Sequence, residues 1–442
     1  YNSIQETNVM TTSQPTDSAP ETKRPKADRY IIGFYVMLCI ISVVELYSAS
    51  SREVTSANIF GPLVRQIMML VMGIVICIGV SRLKLTAIIR LTPAFVIMSV
   101  LMMVYVIFAG DVINGARRSF SLPGFSVQPA ELLKISSVLI VAYIMSRNQE
   151  AGGVKTNGVV KCALIVACFG GMLISQGLTN TLLLMIISCS MMLIGGIQWK
   201  KFGLVLVFYM LIGGAGLYYK IEKGSKSANE NTEILETGKD SSGQAATINR
   251  TNTWLSRMER YGNDSIPKWE QKIVAENRQE MYSYMAQANG GVFGVMPGNS
   301  RETARLPLAF SDYIFAIVVE DLGLIGGLFL LVIYLSLLGR AGTIAARCDR
   351  AFPAMLVMGM AVMIVFQALF HMAITTGVFP VSGQPLPMIS QGGTSMLVTS
   401  LAFGIMLSIS RYASMAGRKK AQKAPQDLPE ALAAVNPTQL KA

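Results

Sequence analysis

The stretch YIFAIVVEDLGLIGGLFLLVIYLSLL, residues 313–338, is almost wholly apolar and carries no charged residue except Glu320 and Asp321. The hydrocarbon core of a bilayer takes about 20 apolar residues per spanning helix, so this run reads as a transmembrane helix. Gly323, just after the two carboxylates, predicts a local break in it. Working outward, nine more apolar runs lie near 30–50, 60–80, 91–109, 129–146, 158–175, 181–197, 202–219, 353–376 and 390–412. The fold class that follows is all-α: a polytopic membrane protein with about ten transmembrane helices and one large extracytoplasmic loop. The chain then divides into a tail at 1–29, helices one to seven at 30–219, the loop at 220–312, helices eight to ten at 313–414, and a tail at 415–442.

Composition agrees. Hydrophobic residues make up 52% of 442 positions and charged residues 14%, with a mean hydropathy of +0.47, whereas a soluble chain carries about 25% charge. The polar segment before Tyr30 lacks a small-residue cleavage site behind a short apolar core, so the first run is expected to stay as an anchor. The net charge of +12 does not mark a nucleic-acid face. Residues 219–312 hold 12 Lys and Arg against 12 Asp and Glu, so the excess sits in the tails and short loops.

Those short loops give the orientation. Lys23, Arg24, Lys26 and Arg29 precede the first helix, and alternate turns carry Arg82, Lys84 and Arg90; Arg147 and Lys155; Lys200 and Lys201; then Arg340, Arg347 and Arg350. The C-terminal tail adds Arg411, Arg418, Lys419, Lys420 and Lys423, while the intervening loops are poor in basic residues. By the positive-inside rule both termini are cytoplasmic and the 219–312 loop is outside. The tails, rich in Pro, Ser, Thr, Gln and Ala, are expected to be disordered. Within the loop a low-complexity stretch, Lys223 to Thr251, gives way to an amphipathic one from Trp254 through Met285, which suits helices at the headgroup level. The six cysteines show no metal-type pairing and read as inert thiols.

Ionisable groups at membrane depth are costly and therefore informative. Glu131 and Lys134 stand three apart on one helical face, either as a structural ion pair or as the lining of a polar cavity for an anionic headgroup. Arg117 and Arg118, in an outside loop, could hold phosphate oxygens bidentately or anchor the loop to anionic lipid. Asp312, at the mouth of the eighth helix, could be a helix N-cap or a partly desolvated general base. The single histidine, His371, reads as a buried hydrogen-bonding group. Pro380 to Pro387, followed by Ser390-Gln391-Gly392-Gly393-Thr394-Ser395, cannot continue a helix and reads as a re-entrant or surface loop with exposed amides.

These segments, in order, resemble the SEDS family, the FtsW/RodA/SpoVE proteins. Tyr47-Ser48-Ala49-Ser50-Ser51 is similar to the family's ySASS. Gly115-Ala116-Arg117-Arg118 with Gln128-Pro129-Ala130-Glu131-Leu132-Leu133-Lys134 resembles GAxRW…QPxExxK. Leu306 to Ala316 with Glu320-Asp321-Leu322-Gly323 resembles LPxxxTDFIFA…EELG, and Pro380 to Ser395 resembles PVTGxPLPFISYGGSS. Two positions depart from the pattern: Leu178 stands where the family has an aspartate, and Gln391 where it has a tyrosine.

The resemblance implies a peptidoglycan glycosyltransferase of the bacterial cytoplasmic (inner) membrane that polymerises lipid II, the undecaprenyl-pyrophosphate-linked disaccharide-pentapeptide. It puts the essential aspartate at Asp312, as general base. Arg117 and Arg118 become pyrophosphate contacts, Glu131 and Lys134 a cavity pair, and Gln128, Ser390, Gly392 and Gly393 further substrate-binding positions. A divalent cation, Mg or Mn, is compatible with this chemistry, though no ligand cluster demands one and no metal-binding residue is assigned. The implied partners are a class B penicillin-binding protein, other divisome proteins and membrane lipid, with no nucleic acid. Within the family the extended tails and the Gly290-Gly291…Gly298-Asn299-Ser300 segment favour an FtsW-like division polymerase over a RodA-like elongation polymerase. A lipid II flippase or a non-catalytic divisome scaffold are the alternatives outside enzymology.

Overall fold

The computed structural model describes residues 27–50, 60–113, 116–122, 125–150, 152–174, 176–214, 216, 218, 270–274, 277–306 and 310–423. Most of the two tails (1–26 and 424–442), the polar stretch Lys223 to Thr251 and the start of the amphipathic stretch at Trp254 lie outside these residues, while 415–423, expected to be disordered, continue the last helix.

Seven helices come before the large loop: α1 (Arg29–Ser50), α2 (Phe60–Ser81), α3 (Leu85–Ala109), α4 (Pro129–Arg147), α5 (Thr156–Ile174), α6 (Leu178–Ile194) and α7 over 199–214. After it come α8 (Arg278–Gly290), α9 (Ile314–Ala345), α10 (Ala351–Thr375) and α11 (Gly393–Lys423). Among the described residues eight helices are long and apolar enough to cross a membrane, and α6 is a shorter apolar one. With α7 this accounts for the ten runs read from hydropathy. The protein is a multi-pass membrane protein.

Burial sorts the helices by role. α4, α10 and α11 are enclosed by neighbours over most of their surface, while α2 and α3 leave most of theirs uncovered. The uncovered side chains include Met68, Val71 and Val75 on α2 and Leu101, Tyr105 and Phe108 on α3. In water that would be a large apolar patch; against lipid tails it is the ordinary surface of a spanning helix. α4 packs on α10, α10 on α9, and α11 on α2, so the central helices position everything that follows.

Two segments read as plain loops hold small sheets. Between α3 and α4, β1 (Asp111–Ile113), β2 (Ala116–Leu122) and β3 (Phe125–Val127) form a three-stranded antiparallel sheet in sequence order. Between α4 and α5, β4 (Gln149–Glu150) pairs with β5 (Gly153–Val154).

α9 has 32 residues, about 48 Å at 1.5 Å per residue, more than the roughly 30 Å of hydrocarbon. It is broken where the sequence predicts, at Gly323, whose φ of 71° and ψ of −174° are not helical. The backbone groups freed there find partners in the chain that follows α8. Val295 and Met296 donate to the carbonyls of Glu320 and Asp321, each at 2.9 Å, while Leu324 and Ile325 donate to those of Gly291 and Val292 at 3.0 and 3.3 Å. Both carboxylates are engaged as well. Glu320 accepts from the Ser300 hydroxyl at 2.5 Å and the Arg301 amide at 2.9 Å. Asp321 accepts from the Ser48 hydroxyl, which itself accepts from the Gly298 amide at 2.8 Å. A break in a spanning helix is tolerated only under such re-pairing.

At its far end α9 is tied to the start of α1. Arg340 donates from Nε and Nη2 to the Asp28 carboxylate, the shortest contact being 2.6 Å, and its guanidinium lies over the Tyr30 ring. The six cysteines are free thiols. Burial pushes the Cys348 thiol, in the turn between α9 and α10, up to about 11.

Candidate active site

Asp312 sits in the turn before α9, one residue ahead of the N-cap of that helix. The N-cap is Tyr313, with no side-chain cap bond. The half-buried Asp312 carboxylate accepts from the Ser311 hydroxyl at 3.1 Å and faces the loop between α10 and α11. Gly383 of that loop lies close to it. A Cβ added there would stand 2.7 Å from Asp312 Oδ2, so a side chain at 383 would have to push the carboxylate aside.

The loop is fixed on several sides, as a non-helical segment inside a bundle must be. The Ser390 hydroxyl accepts from the Leu386 amide and donates to the Ser311 carbonyl, both at 2.7 Å, and the Gln391 amide donates to the Phe310 carbonyl at 2.8 Å. Tyr334 of α9 donates its hydroxyl to the Pro387 carbonyl at 2.6 Å. The Gln384 amide donates to Asn180 of α6 at 2.9 Å. Met388 holds a left-handed φ of 68°. Such a conformation costs a non-glycine residue about 1–3 kcal/mol and persists where surrounding bonds enforce it, often at functional sites.

His371 takes the buried hydrogen-bonding role read from the sequence. Its Nδ1 lies 2.6 Å from the Gln384 carbonyl, and its Nε2 accepts from the Phe315 amide at 3.4 Å. Nδ1 must then carry the proton and the ring is neutral. The histidine joins the loop to the first turn of α9, two residues beyond Tyr313.

Apart from Arg117 and Arg118, the other site residues read from the sequence lie in or around the same loop. Lys134 donates to Glu131 at 2.7 Å, with side-chain exposures of only 1% and 4%. Gln367 of α10 reaches both Glu131, at 3.5 Å, and the Pro385 carbonyl, at 3.4 Å. The ion pair therefore stands behind the loop, closed off from solvent. Gln128 takes part through its backbone, donating to the Thr394 hydroxyl at 3.0 Å, while Thr394 donates to the Ser126 carbonyl at 2.7 Å. These bonds stitch β3 to the start of α11. Gly392 would meet only ordinary contact if it gained a Cβ, and Gly393 opens α11. Arg117 and Arg118 fall on β2, where Arg117 pairs in register with Val112; their side chains lie outside the described residues.

Sequence reading missed Gln367, a lone amide in an otherwise apolar run. That is the kind of intramembrane polar group that signals a role, and here it links the ion pair to the loop. Tyr334 was missed for a better reason, since a tyrosine in an apolar run reads as core.

The model of the cell cycle protein family FtsW/RodA/SpoVE matches residues 28–415, nearly all of the described chain. The chain belongs to this family. Among curated relatives it is similar to the probable peptidoglycan glycosyltransferase FtsW of Bacillus subtilis (strain 168), 26% identical over 408 residues that cover 89% of this chain and 93% of the relative. It is similar to the peptidoglycan glycosyltransferase MrdB of Escherichia coli (strain K12), 25% identical over 386 residues, 86% and 94% of the two chains. Its fold resembles that of the rod shape determining protein RodA of Thermus thermophilus, with a TM-score of 0.58 at 20% identity over 87% of this chain and 97% of that one. A chain of a peptidoglycan synthase complex that coordinates polymerization and crosslinking matches with a TM-score of 0.61 at 21% identity, over 88% and 98% of the two chains.

Proposed function

We propose that this chain is a peptidoglycan glycosyltransferase that polymerises lipid II at the outer face of the cytoplasmic membrane, with Asp312 as general base. The observation that carries the site assignment is the placement of Asp312. Its carboxylate, half-buried just ahead of α9, faces a glycine of a loop held in place by α6, α9 and α10. A sugar hydroxyl entering there can give its proton to the carboxylate as it attacks the anomeric carbon of the lipid-linked partner. The departing pyrophosphate needs cations, and Arg117 and Arg118 are proposed for that task. Their strand is tied to the loop through β3 and Thr394. Glu131 and Lys134 would act from behind the loop, through Gln367 and Pro385, and Ser390 by fixing the turn that carries Asp312.

A divalent cation, Mg or Mn, is a separate proposal. Among the described residues no group of three or more His, Cys, Asp or Glu gathers to hold a metal. Magnesium in phosphate chemistry takes one or two carboxylates and the substrate's own oxygens, so Asp312 together with a bound pyrophosphate is the donor set this chain could offer. Such an ion would neutralise charge on the leaving group.

The loop charges support both termini on the cytoplasmic side. The FtsW-like division role rests on the extended tails and the 290–300 segment; relatives named FtsW and MrdB are 26% and 25% identical to this chain, so identity does not separate the roles. A class B penicillin-binding protein is the proposed partner. One reconstitution tests the function: purified protein, lipid II and the cognate transpeptidase in detergent. Wild type should make glycan strands, and Asp312→Ala should lose them by about 10²- to 10⁴-fold, the usual weight of a general base. Unchanged strand synthesis by Asp312→Ala would refute the assignment. Lipid movement across vesicles without strands would favour a flippase instead.

A further inference from the structure

One feature of the fold takes no part in the site above. Between α1, α2 and α11, on the outward side of the bundle, runs a groove of about 770 Å³, within the 300–1,000 Å³ range of ligand sites. Ile32, Val36 and Ile40 of α1 and Ile74 and Ile78 of α2 line it, and all five are substantially exposed. From Ala27 to Val44 it follows α1 for about 25 Å at the helical rise, enough for a fully extended acyl chain. Its character changes at one end, where it meets Ser81, Arg82 and Arg411.

These two arginines differ from their neighbour Arg340. Arg340 is neutralised by Asp28, whereas among the described residues neither Arg82 nor Arg411 has a carboxylate at ion-pair distance. Arg411 donates from Nη1 to the Ser81 carbonyl at 2.8 Å, which holds its guanidinium across the mouth with its other N–H groups still to be used. Arg82 is the next residue in the chain and is exposed. Two arginines lining the same end of a groove can together supply N–H donors to the oxygens of a phosphate. Basic pockets between spanning helices at the headgroup layer take anionic lipid heads.

We propose that this groove is a binding site for an anionic phospholipid, with an acyl chain along α1 and α2 and the phosphate on Arg82 and Arg411. The proposal is independent of the glycosyltransferase reading. It needs only that this end of the bundle meets a headgroup layer. By the loop charges that is the cytoplasmic leaflet, the opposite face from the Asp312 mouth, so the site is not the resting place of a substrate whose pyrophosphate reacts outside. A partner's spanning helix would cover the same apolar walls but would give the paired arginines no phosphate.

The test uses the full chain in neutral detergent, with lipid retention measured by native mass spectrometry and thermal stability measured alongside. Phosphatidylglycerol should be retained more tightly than phosphatidylcholine of the same acyl chains. Arg82→Ala, which breaks no described hydrogen bond, should weaken phosphatidylglycerol roughly fivefold, and the Arg82→Ala/Arg411→Ala double variant roughly 25-fold, at the usual strength of one basic residue beside a charged lipid layer. Ile74→Trp, which fills the groove and leaves the charges alone, should abolish retention while Asp312-dependent activity persists. Equal retention of the two lipids by wild type, or phosphatidylglycerol binding unaffected by Arg82→Ala or by Ile74→Trp, would overturn the proposal. Displacement of phosphatidylglycerol by undecaprenyl phosphate at lower concentration would also overturn it, reassigning the groove to a polyprenyl chain.

Discussion

Two non-helical segments meet α9, and they treat its backbone differently. The 291–300 segment closes around the break at Gly323, and its amides and carbonyls are used in pairing with residues 320–325. The 380–392 segment meets the other end of α9, before its first turn, and is pinned by side chains: Ser390, Tyr334, His371, Gln384 and Gln367. At Gly383 it brings a glycine close to the Asp312 carboxylate. The first arrangement completes a ladder and leaves Glu320 and Asp321 fully buried. The second holds a half-buried acid at a fixed place. Carboxylates in both regions are near the same helix, yet of these three only Asp312 is partly exposed.

Glycine substitutions should break the comparison most sharply. At Gly323 a Cβ would stand 2.2 Å from the Val292 carbonyl and the φ is 71°. Backbone cannot give way there as a side chain can, so Gly323→Ala should cost more than about 4 kcal/mol, in the range of exceptional single substitutions. Loss of folded protein by size-exclusion chromatography in detergent would show it; a well-folded variant of unchanged melting temperature would contradict the closed ladder.

Next in size is the ion pair behind the second segment. Lys134→Ala would leave the Glu131 charge buried without its partner, a change worth about 3–5 kcal/mol when one member of a buried pair is removed. Replacing both, as Glu131→Gln/Lys134→Met, should recover much of that melting temperature, because no charge is then stranded. If the double variant is as unstable as the single, Glu131 has a stabilising role beyond this ion pair.

Gly383→Ala should separate the two regions by kind of effect. Its clash is with the end of the Asp312 side chain and not with backbone, and a flexible end can move. The variant should keep its melting temperature while strand synthesis falls by up to about 10²-fold, the scale of a displacement near 1 Å at a reacting group. Full activity in Gly383→Ala would mean that the position of the carboxylate, as drawn by this loop, does not matter.

How much of this could be read beforehand follows from what each level of structure depends on. The helices were legible because a spanning segment must be apolar for its whole length, and the Gly323 break because glycine beside two carboxylates fits poorly in such a run. α9 and α11 extend past their apolar runs, since a helix can continue out of the bilayer where hydropathy no longer reports it. The pairing of 291–296 with 320–325 was not legible, because backbone partners leave no residue code. Neither was the sheet, whose strands of three, seven and three residues are too short for an alternation to stand out. Asp312 shows the limit most clearly. Taken alone, aspartate before a helix favours a cap, but Tyr313 occupies that position, and only the loop from residues 380–392, far along the chain, explains what the carboxylate faces.

The smallest effect concerns the opposite end of α9, where Arg340 holds Asp28. Burial raises the Asp28 pKa, but the bonds from Arg340 and from the Ile31 and Tyr30 amides outweigh it, so the carboxyl lies below its ordinary 3.8. A carboxylate with a depressed folded-state pKa adds stability that is complete above the unfolded value and disappears as pH falls through the folded one. Between pH 5 and 7, therefore, this contact should give no slope in melting temperature, and below about 3.8 wild type should lose stability. Asp28→Asn, which cannot titrate, should start lower at pH 7 and lack that part of the acid-side decline. Because Arg340 is a quarter exposed, at 24%, the difference at neutral pH should be modest and should shrink with added salt. Parallel curves for Asp28→Asn and wild type across the whole range would show that the far end of α9 is held by apolar packing alone, leaving its two non-helical partners as the polar anchors that matter.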